Sequence, residues 1–361
     1  MQFFRKYILP GFIFQSVVIG GGYATGRELI EFFFSAGPIG GILGLLVTGL
    51  IFGVVLAVGF ELARITKTYD YRHFCRQLLG KGWFIFEIAY VIQLLLVLSV
   101  IGSASGKIIS NTFGLPPLWG TFSLMTLIGI LTFKGTQVIE LVLSWWSVLL
   151  YAVYIILFVL AFKYFGDVIT DTYAKAPVGK GWFVDGILYS GYNLAILPAI
   201  LFVVTDLDKR RETIGAGFMA GLIAVIPAIL FYIAMMGKYP EIGEQPVPAT
   251  FLMSSLGINW LSMVFQIVVF GTFVETGTAM LHAVNERLQG SYADHGKELP
   301  RYIRPVVAIS FLFLAIFAAE KFGIVSLIAQ GYSVLTLVFI IILILPLMTF
   351  GVWKIMQKQH L

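Results

Sequence analysis

Residues 18–34 read VIGGGYATGRELIEFFF, and this stretch decides how the rest of the chain must fold. It holds four glycines within the seven positions from Gly20 to Gly26, in the middle of an apolar run at residues 7–35. Each glycine costs a helix about 0.8–1 kcal/mol relative to alanine, so the helix should unwind there. Unwound backbone groups find no partner in hydrocarbon and must therefore meet protein, water, an ion or a ligand. The stretch predicts a broken membrane helix that borders a cavity.

The composition places the whole chain in a membrane. Of its 361 residues, 59% are hydrophobic and only 12% are charged, against about 45–50% and 25% in soluble domains. Its apolar runs approach or exceed the roughly 20 residues that a helix needs to cross a bilayer. The fold class predicted is an all-α integral membrane protein with ten transmembrane helices, called span 1 to span 10. They cover residues 7–35, 38–65, 82–112, 117–133, 136–164, 182–206, 212–237, 258–286, 303–319 and 322–353.

The basic residues indicate the orientation of these spans. With the N-terminus inside, seventeen Lys and Arg residues fall in cytoplasmic segments and five fall on the opposite side. Basic loops resist translocation, so this bias predicts an even number of crossings with both termini in the cytoplasm. The net charge of +5 has the same origin, because loops that face an anionic leaflet are basic. No nucleic-acid partner is therefore predicted.

The chain offers little chemistry for a cofactor. Cys75 is its only cysteine, which excludes a disulfide framework and Cys-rich metal sites. It has four histidines, and nothing in it has the spacing of a metal or phosphate motif. No nucleophile–base pair stands out in any span, which disfavours a membrane-embedded enzyme. We therefore predict no cofactor, no enzymatic activity and no metal beyond a coupling ion.

A weaker interruption occurs at the corresponding place in the second half of the chain. Span 6 contains Tyr189-Ser190-Gly191-Tyr192-Asn193 between two apolar pieces. Five crossings separate span 1 from span 6, so the two halves must cross the membrane in opposite directions, as in inverted-repeat transporters. This predicts a first repeat at residues 1–165, an extracellular connector at 166–181 and a second repeat at 182–361, within one membrane domain.

Three charged residues, Arg27, Glu28 and Glu31, follow the glycine-rich stretch. Charged side chains at membrane depth cost about 2.5–3.5 kcal/mol on insertion scales, so each needs a partner or a water path. Arg27 and Glu31 are four residues apart and can pair on one helix face without any ligand. The functional alternative is an outer gate, formed by Arg27, Glu28 and Glu31, that attracts a charged substrate.

Glu275 lies near the middle of span 8. Thr278 and His282 follow at i+3 and i+7, so one polar stripe should face the bundle interior rather than lipid. A buried carboxyl that exchanges its proton when water reaches it is what a proton-coupled carrier requires. The structural alternative is a neutral Glu275 that is hydrogen-bonded to a backbone carbonyl.

With a glycine break, ten spans and inverted halves, the chain resembles the amino acid–polyamine–organocation (APC) superfamily, whose shared architecture is the five-plus-five LeuT fold. The stretches VIGGGYATGRELIEFFF and Val274-Glu275-Thr276-Gly277-Thr278 resemble the YkvI-like membrane proteins of bacteria. The resemblance implies a protein of the bacterial cytoplasmic (inner) membrane, with a substrate pocket between the breaks of spans 1 and 6, flanked by spans 3 and 8. Carried over by position, the pocket residues are Gly20, Gly21, Gly22, Tyr23, Ala24, Thr25, Ser190, Gly191, Tyr192 and Asn193.

The resemblance also implies an ion site between the break of span 1 and span 8. Sodium-coupled members hold the ion with backbone carbonyls and two neighbouring hydroxyl residues. Here the matching residues are Glu275, Thr276 and Thr278, so adjacent hydroxyls are missing and a carboxyl is present. The coupling ion predicted is therefore either H⁺ or Na⁺.

The sequence thus predicts an ion-coupled secondary transporter, a symporter for a small organic solute, that works by alternating access. The unwound N–H groups and the positive helix end in span 1 suit a carboxylate, which favours an amino acid or a related compound. The alternative is a non-transporting receptor for a small ligand on the same scaffold, which bound ligand without saturable counterflow would favour. A channel is a third hypothesis, which flux far above carrier rates would reveal. The partners predicted are the small-molecule substrate and the lipid bilayer.

Overall fold

A computed structural model describes residues 2–132, 136–293, 296–300, 302–322 and 324–357. Within these ranges the chain is helical and contains no strand. Short helices lie between spans 2 and 3, at Tyr71–Leu79, and between spans 7 and 8, at Pro248–Leu256. The spans comprise Leu9–Val18, Gly21–Ala24 and Arg27–Phe33 (span 1), Gly37–Thr66 (span 2), Trp83–Phe113 (span 3), Pro117–Thr132 (span 4), Thr136–Lys175 (span 5), Trp182–Asn193 and Leu194–Val204 (span 6), Arg210–Met235 (span 7), Asn259–Ala293 (span 8), Ile303–Phe322 (span 9) and Ile324–Gln357 (span 10).

The predicted all-α membrane architecture is confirmed. Eight helices of the described chain are long and apolar enough to cross a membrane. The broken span 1 and the short span 4 are not counted separately among these eight, and with them the arrangement is consistent with the predicted ten crossings. Span 5 extends to Lys175, so most of the predicted connector at residues 166–181 is helical.

Span 1 is broken where the glycines predict. Its first helix ends at Val18, because Ile19 leaves the helical region with ψ of 59°. A second interruption follows at Gly26, whose φ of 82° is left-handed and favours glycine. Between them Gly21–Ala24 forms only one helical turn. The backbone at the centre of the bundle therefore lacks part of its helical hydrogen bonding.

Span 6 differs in detail from the prediction. The α-helix Trp182–Asn193 includes all of residues 189–193, and the chain then continues as a 3₁₀ helix, Leu194–Val204. The α-helix thus ends at the predicted place, but the chain changes helix type there instead of unwinding. A 3₁₀ run of this length is uncommon, and mid-helix 3₁₀ stretches often mark hinges or strain.

Spans 2 and 7 cross with their backbones in contact. A Cβ added at Gly217 would lie 2.3 Å from the nitrogen of Ala57. One added at Gly221 would lie 2.5 Å from the nitrogen of Gly53 and 2.7 Å from the oxygen of Gly49. Small residues at such crossings let membrane helices approach closely, since apolar side chains gain nothing there over lipid. This crossing brings span 2 of the first half directly against span 7 of the second.

The described segments nearest the two chain ends lie at one end of the bundle, here called the terminal end, where Lys354 donates to Gln77 at 2.6 Å. Lys6 pairs with Glu212 at 2.7 Å, which ties the segment before span 1 to the start of span 7. The buried Glu61 of span 2 receives two hydrogen bonds from Arg64, at 2.7 and 2.8 Å, and one from the Thr213 hydroxyl at 2.7 Å. The terminal end is therefore closed by a polar network that joins spans 1, 2 and 7.

Candidate functional site

The carboxyl group of Glu28 lies against the break of span 1. Glu28 is only 2% exposed, and a Cβ added at Gly22 would lie 2.2 Å from its Oε1 and 2.3 Å from its Cγ. Only a glycine at position 22 leaves room for this side chain. The Tyr192 hydroxyl of span 6 donates a hydrogen bond to Glu28 Oε2. Glu28 therefore joins the broken segment of span 1 to span 6.

The three residues predicted as a gate do not share one place. Arg27 and Glu31 lie on the same face of their helix and pair at 2.9 Å. Arg27 Nη1 also donates to the carbonyls of Gly243 and Gln245, each at 3.2 Å, in the loop before span 8. Glu28 is rotated by about 100° along the helix and points into the bundle. Arg27 and Glu31 thus fasten a loop at the end opposite the terminal end, while Glu28 belongs to the central site.

A small cavity of about 20 Å³ lies where spans 1, 3, 6, 8 and 10 meet. This volume can hold about one water molecule, whereas sites for organic ligands are typically about 300–1,000 Å³. The site is therefore too small for an organic solute in this structure, and this contracted arrangement is called the closed form below. The lining residues are Val17, Val18, Gly20, Glu28, Gln93, Val97, Tyr192, Asn193, Ile196, Thr276, Met280 and Tyr332.

Gln93 of span 3 supplies an amide to this cavity. Its Nε2 donates to the carbonyl oxygen of Tyr192 at 2.8 Å, which fixes the orientation of the side chain. Its Oε1 is buried and accepts no hydrogen bond from the described residues. A buried acceptor without a donor is costly, so this oxygen is suited to a donor brought by a ligand or by water.

Aromatic rings surround the same point. The rings of Tyr192 and Tyr332 stack with centroids 4.5 Å apart, and Phe32 and Tyr189 lie 5.9 and 5.8 Å from Tyr192. Tyr332 comes at the end of a π-helical turn, Leu327–Tyr332, in span 10. Such turns occur frequently at functional sites, because they redirect a side chain from the regular helical path.

Thr276 is the residue of span 8 that reaches span 1. Its hydroxyl donates to the carbonyl oxygens of Ser16 and Val17, at 3.0 and 3.3 Å, at the end of the first half of span 1. Glu275 and Thr278 are buried at 2% exposure, and neither lines the cavity. Within the described ranges, the side-chain oxygens of Glu275 and Thr278 have no hydrogen-bond partner. Of the three predicted ion-coupling residues, only Thr276 therefore contacts the break.

The predicted pocket residues of span 1 separate into two groups. Gly20 lines the cavity, and Gly22 lies under the Glu28 carboxyl, while Gly21 lies between them in the short helical turn. Tyr23 turns away and donates to the carbonyl of Ala224 in span 7 at 3.1 Å. The last two predicted residues, Ala24 and Thr25, are fully buried outside the cavity lining.

The four predicted residues of span 6 also separate. Tyr192 and Asn193 line the cavity. The Ser190 hydroxyl donates to the carbonyl of Gly186 in its own helix at 2.7 Å, and Gly191 packs against span 10. Gln93 and Tyr332 were not among the predicted residues. In the sequence, Gln93 stands out only as an uncharged amide within an apolar span. Tyr332 has no sequence signal of a binding role apart from its aromatic ring.

Comparison with known proteins supports the fold. No family model matches the chain. The uncharacterized membrane protein YkvI of Bacillus subtilis (strain 168) is 22% identical over 282 residues, which cover 77% of this chain and 80% of YkvI. A Na⁺-coupled sialic acid symporter in its substrate-bound outward-open state superposes with a TM-score of 0.69 and 14% identity, over 92% of this chain and 78% of the symporter. MhsT in complex with L-phenylalanine superposes with a TM-score of 0.63 and 17% identity, over 94% and 87% of the two chains.

These similarities confirm the predicted resemblance to YkvI and the predicted LeuT fold. The identities are low, so the solved structures establish a shared architecture rather than a shared substrate. The first of the two neighbours is a Na⁺-coupled symporter.

Proposed function

We propose that this chain is an ion-coupled secondary transporter of a small organic solute and works by alternating access. The observation that carries the proposal is the small cavity at the break of span 1, lined by Glu28, Tyr192 and Gln93 among others. Bare backbone and buried polar side chains at mid-membrane depth are expensive unless they serve a ligand or an ion. The paired changes in helix structure in spans 1 and 6 are the feature that inverted-repeat transporters use for binding.

Alternating access requires that one end of the bundle opens while the other stays closed, and each end has its own set of polar contacts. We propose that the terminal end is cytoplasmic, as the basic residues predict. There the pair Lys6–Glu212 and the cluster around Glu61 hold spans 1, 2 and 7 together. At the outer end, Arg27 fastens the loop at Gly243 to span 1. Each end therefore has polar contacts of its own that must break before it opens.

The coupling ion we propose is H⁺ or Na⁺. A sodium ion would take oxygen ligands from the carbonyls of Ser16 and Val17 and from the Thr276 hydroxyl, which lie together. A proton would use a buried carboxyl, for which Glu275 is the candidate predicted from sequence. Thr276→Val keeps the side-chain shape but removes the hydroxyl, so it separates the two ions.

Uptake into proteoliposomes tests the function. A panel of organic solutes is presented first with a sodium gradient and then with a pH gradient, and saturable counterflow is measured for wild type, Thr276→Val and Glu275→Gln. We expect saturable counterflow and accumulation under one gradient. If sodium is the ion, Thr276→Val should lose its gradient dependence. Unchanged coupling in Glu275→Gln would remove that residue from the mechanism, and binding without counterflow would favour the receptor alternative.

Removing the guanidinium of Arg27 should loosen the outer closure. Arg27→Gln loses an ion pair and two hydrogen bonds from a charged donor, and such hydrogen bonds contribute about 1.5–3 kcal/mol each. A cysteine at Ala24, in a Cys75→Ser background, should then react at least about tenfold faster with an impermeant maleimide added outside.

The matched control for this closure is Lys175→Gln, which removes a cation whose ion pair with Asp171 is exposed. It should leave the labelling rate of the cysteine at position 24 unchanged. Equal rates in Arg27→Gln and Lys175→Gln would contradict a closing role for Arg27.

A further inference from the structure

The carboxyl of Glu28 is buried in the centre of the molecule without a basic partner. No Lys, Arg or His in the described part of the chain forms an ion pair with it; the Arg27 side chain is taken up by Glu31 and the loop carbonyls. The titratable groups that face Glu28 are all tyrosines: Tyr23 of span 1, Tyr189 and Tyr192 of span 6, and Tyr332 of span 10. Spans 3 and 8 add only the neutral polar side chains Gln93 and Thr276 to the cavity.

A carboxylate in this position needs a positive charge from elsewhere. A buried charge without a partner is strongly destabilising, whereas a proton or a bound cation removes the imbalance. Tyrosine hydroxyls are neutral near pH 7, so they donate hydrogen bonds to Glu28 but do not neutralise it. Either a proton or an external cation must therefore accompany this carboxyl.

The cavity also presents acceptors rather than cationic donors. Glu28 and Gln93 line it together, and Gln93 Oε1 has no donor among the described residues. An ammonium group carries only N–H donors and no acceptor. It matches this arrangement, because its N–H groups can donate to the carboxylate and the amide oxygen that line the same cavity.

The surrounding rings favour the same ligand. Tyr192, Tyr332, Tyr189 and Phe32 form a cluster with neighbouring centroids 4.5–5.9 Å apart. Of these rings, Tyr192 and Tyr332 line the cavity together with Glu28. Aromatic rings attract cations, so a carboxyl beside them is typical of a site for amines and ammonium ions.

A free carboxylate on the ligand would be unfavourable at the same place. The sequence favoured an amino acid because the broken segment of span 1 offers N–H groups. The structure places the Glu28 carboxyl against that segment, with its Oε1 only 2.2 Å from where a Cβ of residue 22 would be. A ligand carboxylate would bring a negative charge into a buried site where none of the described Lys, Arg or His residues pairs with Glu28 or lines the cavity, and a buried charge without a partner is destabilising.

We propose that the site binds a monovalent organic cation, an amine or ammonium ion, in exchange for a proton on Glu28. This inference deepens the proposed function and rests on it. In the closed form the Glu28 carboxyl carries the proton; binding of the cation releases that proton, and the carboxylate then pairs with the ammonium group. One charge leaves as one arrives, so the site stays neutral throughout. The protein is then a proton–cation exchanger rather than a symporter.

The experiment compares ligands that share a carbon skeleton but differ in charge. The first set is isoamylamine, leucine and 4-methylpentanoate, and the second is phenethylamine, phenylalanine and 3-phenylpropanoate. Calorimetry on the purified chain in two buffers of different ionisation enthalpy measures affinity and proton release. We expect an amine to bind in preference to its amino acid and acid, with one proton released per cation. Its affinity should rise about tenfold per pH unit while Glu28 is protonated.

The variants assign the effect to Glu28. Glu28→Gln should weaken amine binding by about a hundredfold or more and remove its pH dependence, since the buried charge pair is lost. Glu28→Asp keeps the charge and should keep the pH dependence, which guards against a variant that merely misfolds. Glu320→Gln, which neutralises an exposed carboxylate at the end of span 9, is the matched control and should bind like wild type.

Several outcomes would overturn the inference. They are preferential binding of the amino acid or the acid, amine binding that does not depend on pH, unchanged amine binding in Glu28→Gln, and failure of both amines to bind. Transport is judged separately. An amine that binds with proton release but shows no counterflow would refute the transporter and leave this inference standing. Counterflow of an acid or amino acid that survives Glu28→Gln would support the transporter and refute this inference.

Discussion

Gly22→Ala should abolish solute uptake, because the new methyl group and the Glu28 side chain need the same space. The added Cβ would lie 2.2 Å from Oε1, 2.3 Å from Cγ and 2.6 Å from Cδ of Glu28. Rotation of the carboxyl alone cannot relieve three such overlaps, so the whole Glu28 side chain must move away from the break. That movement also breaks the hydrogen bond that Glu28 accepts from Tyr192. We expect counterflow in proteoliposomes to fall to the level of empty vesicles.

A double-variant cycle shows whether the clash with Glu28 is the cause. In a Glu28→Ala background the obstructing atoms are gone, so Gly22→Ala should change the thermal unfolding midpoint very little. The interaction energy between the two positions should fall within the range of about 0.5–3 kcal/mol found for residues in contact. Gly290→Ala is the control, since nothing lies within 4 Å of a Cβ there. Strictly additive effects at positions 22 and 28 would contradict the proposed contact.

The break of span 1 could be predicted because its cause is local. Four glycines in seven positions weaken any helix, wherever it is placed. Span 6 has only Ser190, Gly191 and Asn193 at the matching point, and one glycine does not force unwinding. What the chain does there depends on its packing against spans 3 and 10, which no local pattern records.

The position of Glu28 could not be predicted for a similar reason. Its neighbours Arg27 and Glu31 are spaced for a surface pair, which suggested that all three form one gate. The left-handed Gly26 sets the rotation at which the next helix begins, and this rotation turns Glu28 inward. Gln93 and Tyr332 reach the site through tertiary packing, and uncharged residues of these types are common in membrane helices for structural reasons.

The small residues of spans 2 and 7 were more informative. Gly49 and Gly53 of span 2 fit the pattern of a close helix crossing, and both contact span 7. Gly217 and Gly221 of span 7 follow the same spacing of four residues, which places each pair on one helix face. Gly221 meets Gly49 and Gly53 of span 2, and Gly217 meets Ala57. The spacing is therefore typical of the faces that meet, while the choice of partner helix needed the structure.

Gly221→Val should destabilise the whole bundle, because spans 2 and 7 meet there with no space for a side chain. Its Cβ alone would lie 2.5 Å from the nitrogen of Gly53 and 2.7 Å from the oxygen of Gly49. These contacts are backbone, so the two helices must separate along the crossing rather than adjust a flexible side chain. We expect a loss of about 3 kcal/mol in the free energy of unfolding, at the upper end for overpacked sites.

Unfolding of the purified protein by a denaturing detergent measures this loss, and Gly290→Val is the matched control. Valine there has no neighbour within 4 Å of its Cβ, so the same change in helix propensity occurs without a clash. A Gly53→Val variant should be destabilised as well, because its Cβ would lie 2.9 Å from Phe218 Cδ1 and 3.3 Å from the Phe218 backbone of span 7. Equal stability of Gly221→Val and Gly290→Val would mean that spans 2 and 7 do not cross in contact, and that the two halves of the chain are joined elsewhere.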